Sequence, residues 1–338
     1  MSSLRSFIIT RIALLIPMVW ILVTLVFILL RVLPGANPVS VMHPQMPETY
    51  VQIITERLGL DRPLHEQYID FLIDSLSFDF GQSYQTNIEV SKEIQLAFGP
   101  TVMLGFFGTL IGIPLGIILG AIAGANREGF KDHIIRMYTI GIYSIPIFLV
   151  GIFMQVLFTY TLDLLPALDI IQPGGTHEFT HYTEIWVIDT LLSGRPDLTL
   201  DILIHLIMPS VALGMLIAGV IARQVRTNMI HQLEQDYVHF SRARGIPEIR
   251  VKYKYCLKNA VVPTIGLISL QFALLLAGAI LTETTFNIPG LGRYLYHAIQ
   301  NKDFPAVQGA LVFFVIIVSI ISLIGDVLYA VLDPRITY

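Results

Sequence analysis

Hydrophobic and polar positions along this chain fall into long blocks instead of alternating or amphipathic stripes. Six blocks are almost wholly apolar: Ile8 to Leu30, Pro100 to Gly124, 134–162, Leu203 to Ala222, Val261 to Glu283 and Ala306 to Leu332. About 20 such residues cross a bilayer core as a helix, so the pattern predicts six transmembrane helices. The first block has Arg5 and Arg11 at its front and ends abruptly at Arg31-Val32-Leu33-Pro34-Gly35. Its length, with no small-residue cleavage site after it, makes it a span and not a cleaved signal peptide. Between the blocks lie mixed or polar stretches. Tyr50 to Leu76 intersperses apolar residues with acids at helical spacing, which predicts short helices outside the membrane.

Three features inside the blocks stand out. Gly108, Gly112, Gly116, Gly120 and Gly124 recur at every fourth position. Small residues at that spacing let two helix backbones approach closely, so they are assigned to helix packing, with Pro114 as an expected kink. Ser144, Gln155, Gln271 and Glu283 are polar positions within or at the ends of spans. Such residues face protein or a water-filled cavity, and these four are the candidates for lining a pathway. Asp326, in the last block, is assigned to structure: near the end of its span it can reach water or a basic partner.

The stretch 223–260 breaks the apolar pattern most strongly. Within it, Arg244-Gly245-Ile246-Pro247-Glu248 predicts a helix, a sharp break and a second short helix. Glycine is favoured just past a helix end, proline in a first turn, and a carboxylate near a helix N-terminus. The 38 residues of 223–260 carry eight Lys and Arg, whereas the 43 residues of 162–204 carry only Arg195. The positive-inside rule therefore puts both termini and 223–260 on the cytoplasmic side, and the two long acidic loops outside.

Composition agrees with lipid as the solvent, since 54% of the 338 residues are hydrophobic and 14% charged, against about 25% charged in soluble domains. The lone cysteine, Cys256, excludes an internal disulfide and is assigned no role. No Gly-x-x-x-x-Gly-Lys-Ser/Thr loop, Gly-x-Ser-x-Gly elbow or His-Glu-x-x-His motif is present, so no catalytic residue is expected. His177 and His181 are four apart but sit among Gly174, Gly175, Thr176 and Thr180. That context predicts irregular structure, and no metal site is expected.

Several segments also resemble one known family. Asp236-Tyr237-Val238, Ser241-Arg242-Ala243-Arg244-Gly245-Ile246 and Leu257-Lys258-Asn259-Ala260 with Pro263 are similar to the cytoplasmic loop of ABC-importer permeases. The similarity is to the dipeptide/oligopeptide/nickel branch, in the first (B-type) of its two permease subunits. Phe78-Asp79-Phe80-Gly81-Gln82-Ser83, His205 to Ser210, Glu283 to Gly292, Asp303-Phe304-Pro305 with Gln308-Gly309, and Asp333-Pro334-Arg335-Ile336 extend the resemblance over nearly the whole chain. The wider superfamily has Glu-Ala-Ala where this chain has His239, Phe240 and Ser241, a departure common in the peptide branch.

The resemblance implies an all-α integral membrane protein with the type I importer permease fold. It divides the chain into a first helix (1–33), an external loop region (34–96), a permease core (97–332) containing the coupling loop 223–260, and a cytoplasmic tail (333–338). Ser241, Arg242, Ala243, Arg244, Gly245, Ile246, Pro247, Glu248 and Arg250 would dock an ATPase. Implied partners are a homologous second permease subunit, two ATP-binding subunits that hold ATP and Mg, an extracellular substrate-binding protein and the bilayer of a prokaryotic cell; nucleic acid is not among them. The expected cargo is peptide, with oligosaccharide or nickel as alternatives on the same architecture. An ion-coupled secondary transporter is the runner-up class, disfavoured because such proteins need ionisable residues deep in their spans and only Asp326 stands out as a candidate here.

Overall fold

The computed structural model describes residues 4–32, 47–57, 59–175 and 178–332. Helix α1 (Leu4–Phe27) ends in a π-helical turn, Ile28–Val32, and is followed by the short helices α2 (Glu48–Arg57) and α3 (Leu64–Ser77). Then come α4 (Val90–Ala125), α5 (Phe130–Ser144), α6 (Ile147–Met154) with a π-helical turn Gln155–Thr161, α7 (Trp186–Leu192) and α8 (Pro196–Leu233). Beyond these lie α9 (Asp236–Ala243), α10 (Glu248–Arg250), α11 (Leu257–Val261), α12 (Ile265–Gly278), α13 (Ile280–Thr285), α14 (Leu291–Gln300) and α15 (Phe304–Leu332). Among the described residues the extended pairing is a single bridge, Gln82 to Glu89. Leu33, Pro34 and Gly35 of the expected stop, His177 and Arg335 lie outside the described residues.

Five segments are long and apolar enough to cross a membrane: Ile8–Val32, Val90–Ala125, Pro196–Leu233, Glu248–Leu275 and Phe304–Val327. A sixth crossing exists if α5 and α6 with its π turn count as one span, and here the single helix expected over 134–162 needs correction. The two halves are bent by 101°. Pro146 disfavours helical angles in the residue before it, and both Ile145 (ψ 126°) and Pro146 (ψ 130°) are extended. Prolines elsewhere do not break the helix: α4 runs unbroken through Pro100 and Pro114, and α8 through Pro209.

The frame is the pair α4 and α8. An added Cβ on Gly112 would lie 2.7 Å from Ile217 Cβ, on Gly116 2.7 Å from Ile221 Cβ, on Gly120 2.7 Å from Val225 Cβ, and on Gly124 2.5 Å from Met229 Cβ. Gly108 faces Leu213 at 3.3 Å. Each step of four along α4 matches a step of four along α8 in the same direction, so the two helices run parallel, with the β-carbons of α8 seated on the glycines. Around this pair forms one apolar core, including Leu104, Ile202, Val238, Val251, Cys256 and Phe286. A second core joins α1, α3, the start of α4, α14 and α15 through Phe27, Phe71, Val90, Leu295 and Ala310. Outward residues of α1, such as Ile9, Ile16 and Ile21, stay exposed, as lipid-facing positions do. Arg11 of α1 and Asp326 of α15 form an ion pair at 3.0 Å.

Candidate functional site

The polar loop after α8 is built as a stiff projection. Helix α9 closes with two backbone bonds: Gly245 N–H donates to Arg242 C=O (2.9 Å) and Ile246 N–H to Ser241 C=O (3.1 Å). This double closure is the Schellman motif. It requires left-handed angles at Gly245, whose φ is +71°. Pro247 then caps α10, and Arg242 spans the break to Glu248, its Nε 2.6 Å from the carboxylate. The tip is exposed: Phe240 is 69% and Ile249 74% accessible, beside exposed Arg242, Arg244 and Arg250.

The base of the projection is held on all sides. Val238, Val251, Cys256 and Ala260 are fully buried in the α4–α8 core. Lys252 Nζ donates to Ala125 C=O at the end of α4 (2.9 Å), and Asn228 Nδ2 on α8 donates to Ala260 C=O (2.8 Å). Arg127 pairs with Glu234 at 3.0 Å. Just above, Arg226 of α8 donates to both oxygens of fully buried Asp132 (2.6 and 2.8 Å). Pattern reading missed this pair; the short loop 125–136 mixes two acids, Glu128 and Asp132, with three basic residues, and nothing local marks Asp132 as the one to be buried.

The four pathway candidates separate into two groups. Ser144 is exposed, its hydroxyl donating to Ile140 C=O, and borders a cavity of about 450 Å³ with Arg136, Tyr143, Arg223 and Arg226. Gln271 borders a second cavity, of about 440 Å³, that shares Tyr143 and Arg223; the Arg223 guanidinium lies 5.4 Å from the Tyr143 ring centre. These two residues lie on one open face.

Gln155 and Glu283 instead point into the chain's own packing. The Gln155 amide donates to Ala167 C=O (2.8 Å) and Thr285 C=O (3.1 Å). Glu283 is fully buried and accepts hydrogen bonds from Thr101 Oγ1 (2.6 Å) and Arg293 N–H (2.9 Å). Thr101 Oγ1 in turn accepts from Leu291 N–H (2.8 Å). The carboxylate thus sits at the N-terminus of α14, where a negative charge is favoured. Within this chain these two polar groups fasten α4, α6, α13 and α14 together, and their satisfied bonds are the reason they can be buried.

A similar clasp joins two segments distant in sequence. Ser83 Oγ donates to Asp303 Oδ2 (2.6 Å), and Phe80 packs where a Cβ on Gly309 would fall, 2.9 Å from its ring. The motif after α3 therefore docks on the start of α15.

Comparison with known proteins gives this architecture its context. Residues 112–338 match the family described as binding-protein-dependent transport system inner membrane component. The chain is 35% identical to the di/tripeptide transport system permease protein DppB of Pseudomonas aeruginosa, over 98% of this chain and 99% of that one. It is 34% identical, with the same coverage, to the dipeptide transport system permease protein DppB of Escherichia coli K12. The glutathione transport system permease protein GsiC of Escherichia coli K12 is 30% identical over 98% of this chain. With two thirds of its length inside the family match, and full-length relatives above 30% identity, the chain belongs to the family of binding-protein-dependent transport system inner membrane components.

Proposed function

We propose that this chain is one of two related permease subunits of an ATP-driven importer of short peptides, and that Ser241 to Arg250 is the coupling element on which a separate ATPase subunit docks. The permease role follows from the family. Peptide as cargo is supported by relatives named for dipeptide and di/tripeptide transport. ATP and Mg would be held by the partner ATPases, and a binding protein would deliver cargo to the opposite mouth. The loop charge contrast supports cytoplasmic termini and a cytoplasmic coupling loop.

The observation that carries the coupling assignment is the rigid tip. Its exposed apolar residues, Phe240 and Ile249, are ringed by arginines, a composition suited to an apolar seat with an acidic rim on a partner. Its base bonds to the ends of both α4 and α8. A displacement of the tip as the ATPases close would therefore move that helix pair instead of being absorbed in a linker. Ser144 and Gln271, on the open face, are the pathway-lining residues under this reading, completed by the second permease subunit. Gln155 and Glu283 hold that wall in shape.

The test is Gly245→Val in the assembled importer. A Cβ at Gly245 meets nothing within 4 Å, so the chain should fold, but the left-handed angle is disfavoured for valine. The expected result is normal membrane insertion with loss of ATPase co-purification or of ligand-stimulated ATP hydrolysis. Intact co-purification and stimulation would end the coupling assignment. Orientation is tested separately: Tyr182→Cys should react with a membrane-impermeant thiol reagent from outside intact cells, and Ile249→Cys only after permeabilisation. Cys256 is fully buried and should stay silent in both.

A further inference from the structure

The loop preceding α7 and the first turn of α7 bring together three side chains that the transport reading does not use. His181, Glu184 and Asp189 each direct a ligand atom into a space where all three atoms lie within 4.8 Å of one another. His181 Nδ1 is 3.1 Å from Glu184 Oε2. The imidazole ring is fixed by stacking, 4.6 Å from the Phe179 ring centre on one side and 6.1 Å from Trp186, edge-on, on the other.

Asp189 supplies the independent observation. It is fully buried. Its Oδ1 accepts from both Thr183 N–H (2.9 Å) and Thr183 Oγ1 (2.8 Å). Its Oδ2 is buried and has no hydrogen-bond partner among the described residues. A buried carboxylate oxygen without a donor is costly, and such an atom calls for an ion or a water at that place. Thr183 orients the carboxylate from behind, as outer partners of metal ligands do. The loop is already fastened without a cation: Thr180 N–H donates to Ser193 Oγ (3.1 Å) and Arg195 pairs with Glu178 at 2.7 Å.

We propose that His181, Glu184 and Asp189 form a binding site for one divalent transition-metal cation of the Zn²⁺ class. One imidazole nitrogen with two carboxylate oxygens is a mixed donor set that suits Zn²⁺ and its neighbours. Mg²⁺ and Ca²⁺ take oxygen alone. With the imidazole held in place, the cation would draw in the Glu184 carboxylate, reach donor distances of about 2.0–2.2 Å and leave a fourth position for water. The cation replaces the His181–Glu184 hydrogen bond and gives Asp189 Oδ2 its missing partner. It also staples the loop to α7 at the edge of a cavity of about 600 Å³ that His181, Glu184 and Trp186 share with Pro289, Arg293 and His297.

The test uses the full-length permease, purified in detergent with a tag free of histidine, and titrated with Zn²⁺ and with Co²⁺. Expected are one Zn²⁺ retained per chain after dialysis and a Co²⁺ visible spectrum of low-coordinate N/O ligation. His181→Ala and Glu184→Gln should each weaken binding at least about tenfold. Both residues lie at or near the surface, so these variants should fold even if Asp189→Asn does not. Failure of the wild-type chain to retain a cation, or equal retention by His181→Ala and Glu184→Gln, overturns the site.

Discussion

Two segments of this protein look alike as sequence and behave oppositely in space. Arg244-Gly245-Ile246-Pro247-Glu248 and Asn287-Ile288-Pro289-Gly290-Leu291-Gly292 both link two helices through a turn containing glycine and proline near a glutamate. In the first, glycine is needed for its angle: φ is +71° at Gly245, and an added Cβ meets nothing. In the second, glycine is needed for its volume. Gly290 has an ordinary φ of −91°, but its Cβ would fall 2.3 Å from Glu283 Cδ, and that of Gly292 would fall 2.8 Å from Ile280. The first glutamate, Glu248, makes an exposed ion pair; the second, Glu283, is sealed in the core. One turn is shaped to present a surface and the other to close around a buried carboxyl group.

That contrast can be broken most forcefully at Gly290. Gly290→Ala has no room, because the obstructing carboxylate is itself held by Thr101 and Arg293. It should cost more than about 4 kcal/mol, read as loss of monodisperse protein on size-exclusion chromatography in detergent. Wild-type yield would remove volume as the reason for that glycine.

Glu283→Ala comes next. It strands the Arg293 N–H, at about 1–3 kcal/mol, leaves the Thr101 hydroxyl only its weaker bond to Ala97 C=O (3.4 Å), and should lower the thermal unfolding temperature clearly. It also makes space, so the double variant Gly290→Ala/Glu283→Ala should be less damaged than the two losses added together. Strict additivity would show that the two residues do not meet.

Gly245→Val should cost only about 1–2 kcal/mol of stability, the penalty of left-handed angles for an L-residue, while abolishing uptake. A large drop in unfolding temperature would instead make the turn at Gly245 a folding element like its counterpart. The smallest effect belongs to Arg242→Ala. Its exposed pair with Glu248 is worth about 0–1 kcal/mol, so unfolding should barely move, and any loss of ATPase binding should diminish as salt is raised.

The comparison also marks how far a linear reading reaches. Membrane character, the approximate spans and the break at Gly245 follow from local patterns. An apolar run long enough to cross lipid, or a glycine followed by proline after a helix, carries its physical meaning without knowledge of neighbours. The repeat Gly108 to Gly124 likewise announced a close contact. It did not name Ile217, Ile221, Val225 and Met229 as the groups filling it, because a stripe of small residues states a vacancy and not its occupant. Pro146 was visible, yet prolines 100, 114 and 209 lie within continuous helices. The same residue type interrupts the helix at Pro146 and not at the other three positions, so its identity alone does not decide the outcome.

Polar residues in apolar segments were the least legible. Ser144, Gln155, Gln271 and Glu283 carry the same signal in sequence, a polar group where lipid or core should be. Burial separates them: two face an open cavity, and two have their bonds satisfied within the fold by atoms 10 to 182 positions away. The pairing of Asp132 with Arg226, of Ser83 with Asp303, and the convergence of His181 and Glu184 on Asp189 depend on the same circumstance. Hydrophobicity and backbone angle preferences belong to a residue and its near neighbours, so the sequence alone determines them. The partner that satisfies a buried charge is chosen by which helices lie side by side, and only the tertiary structure decides that.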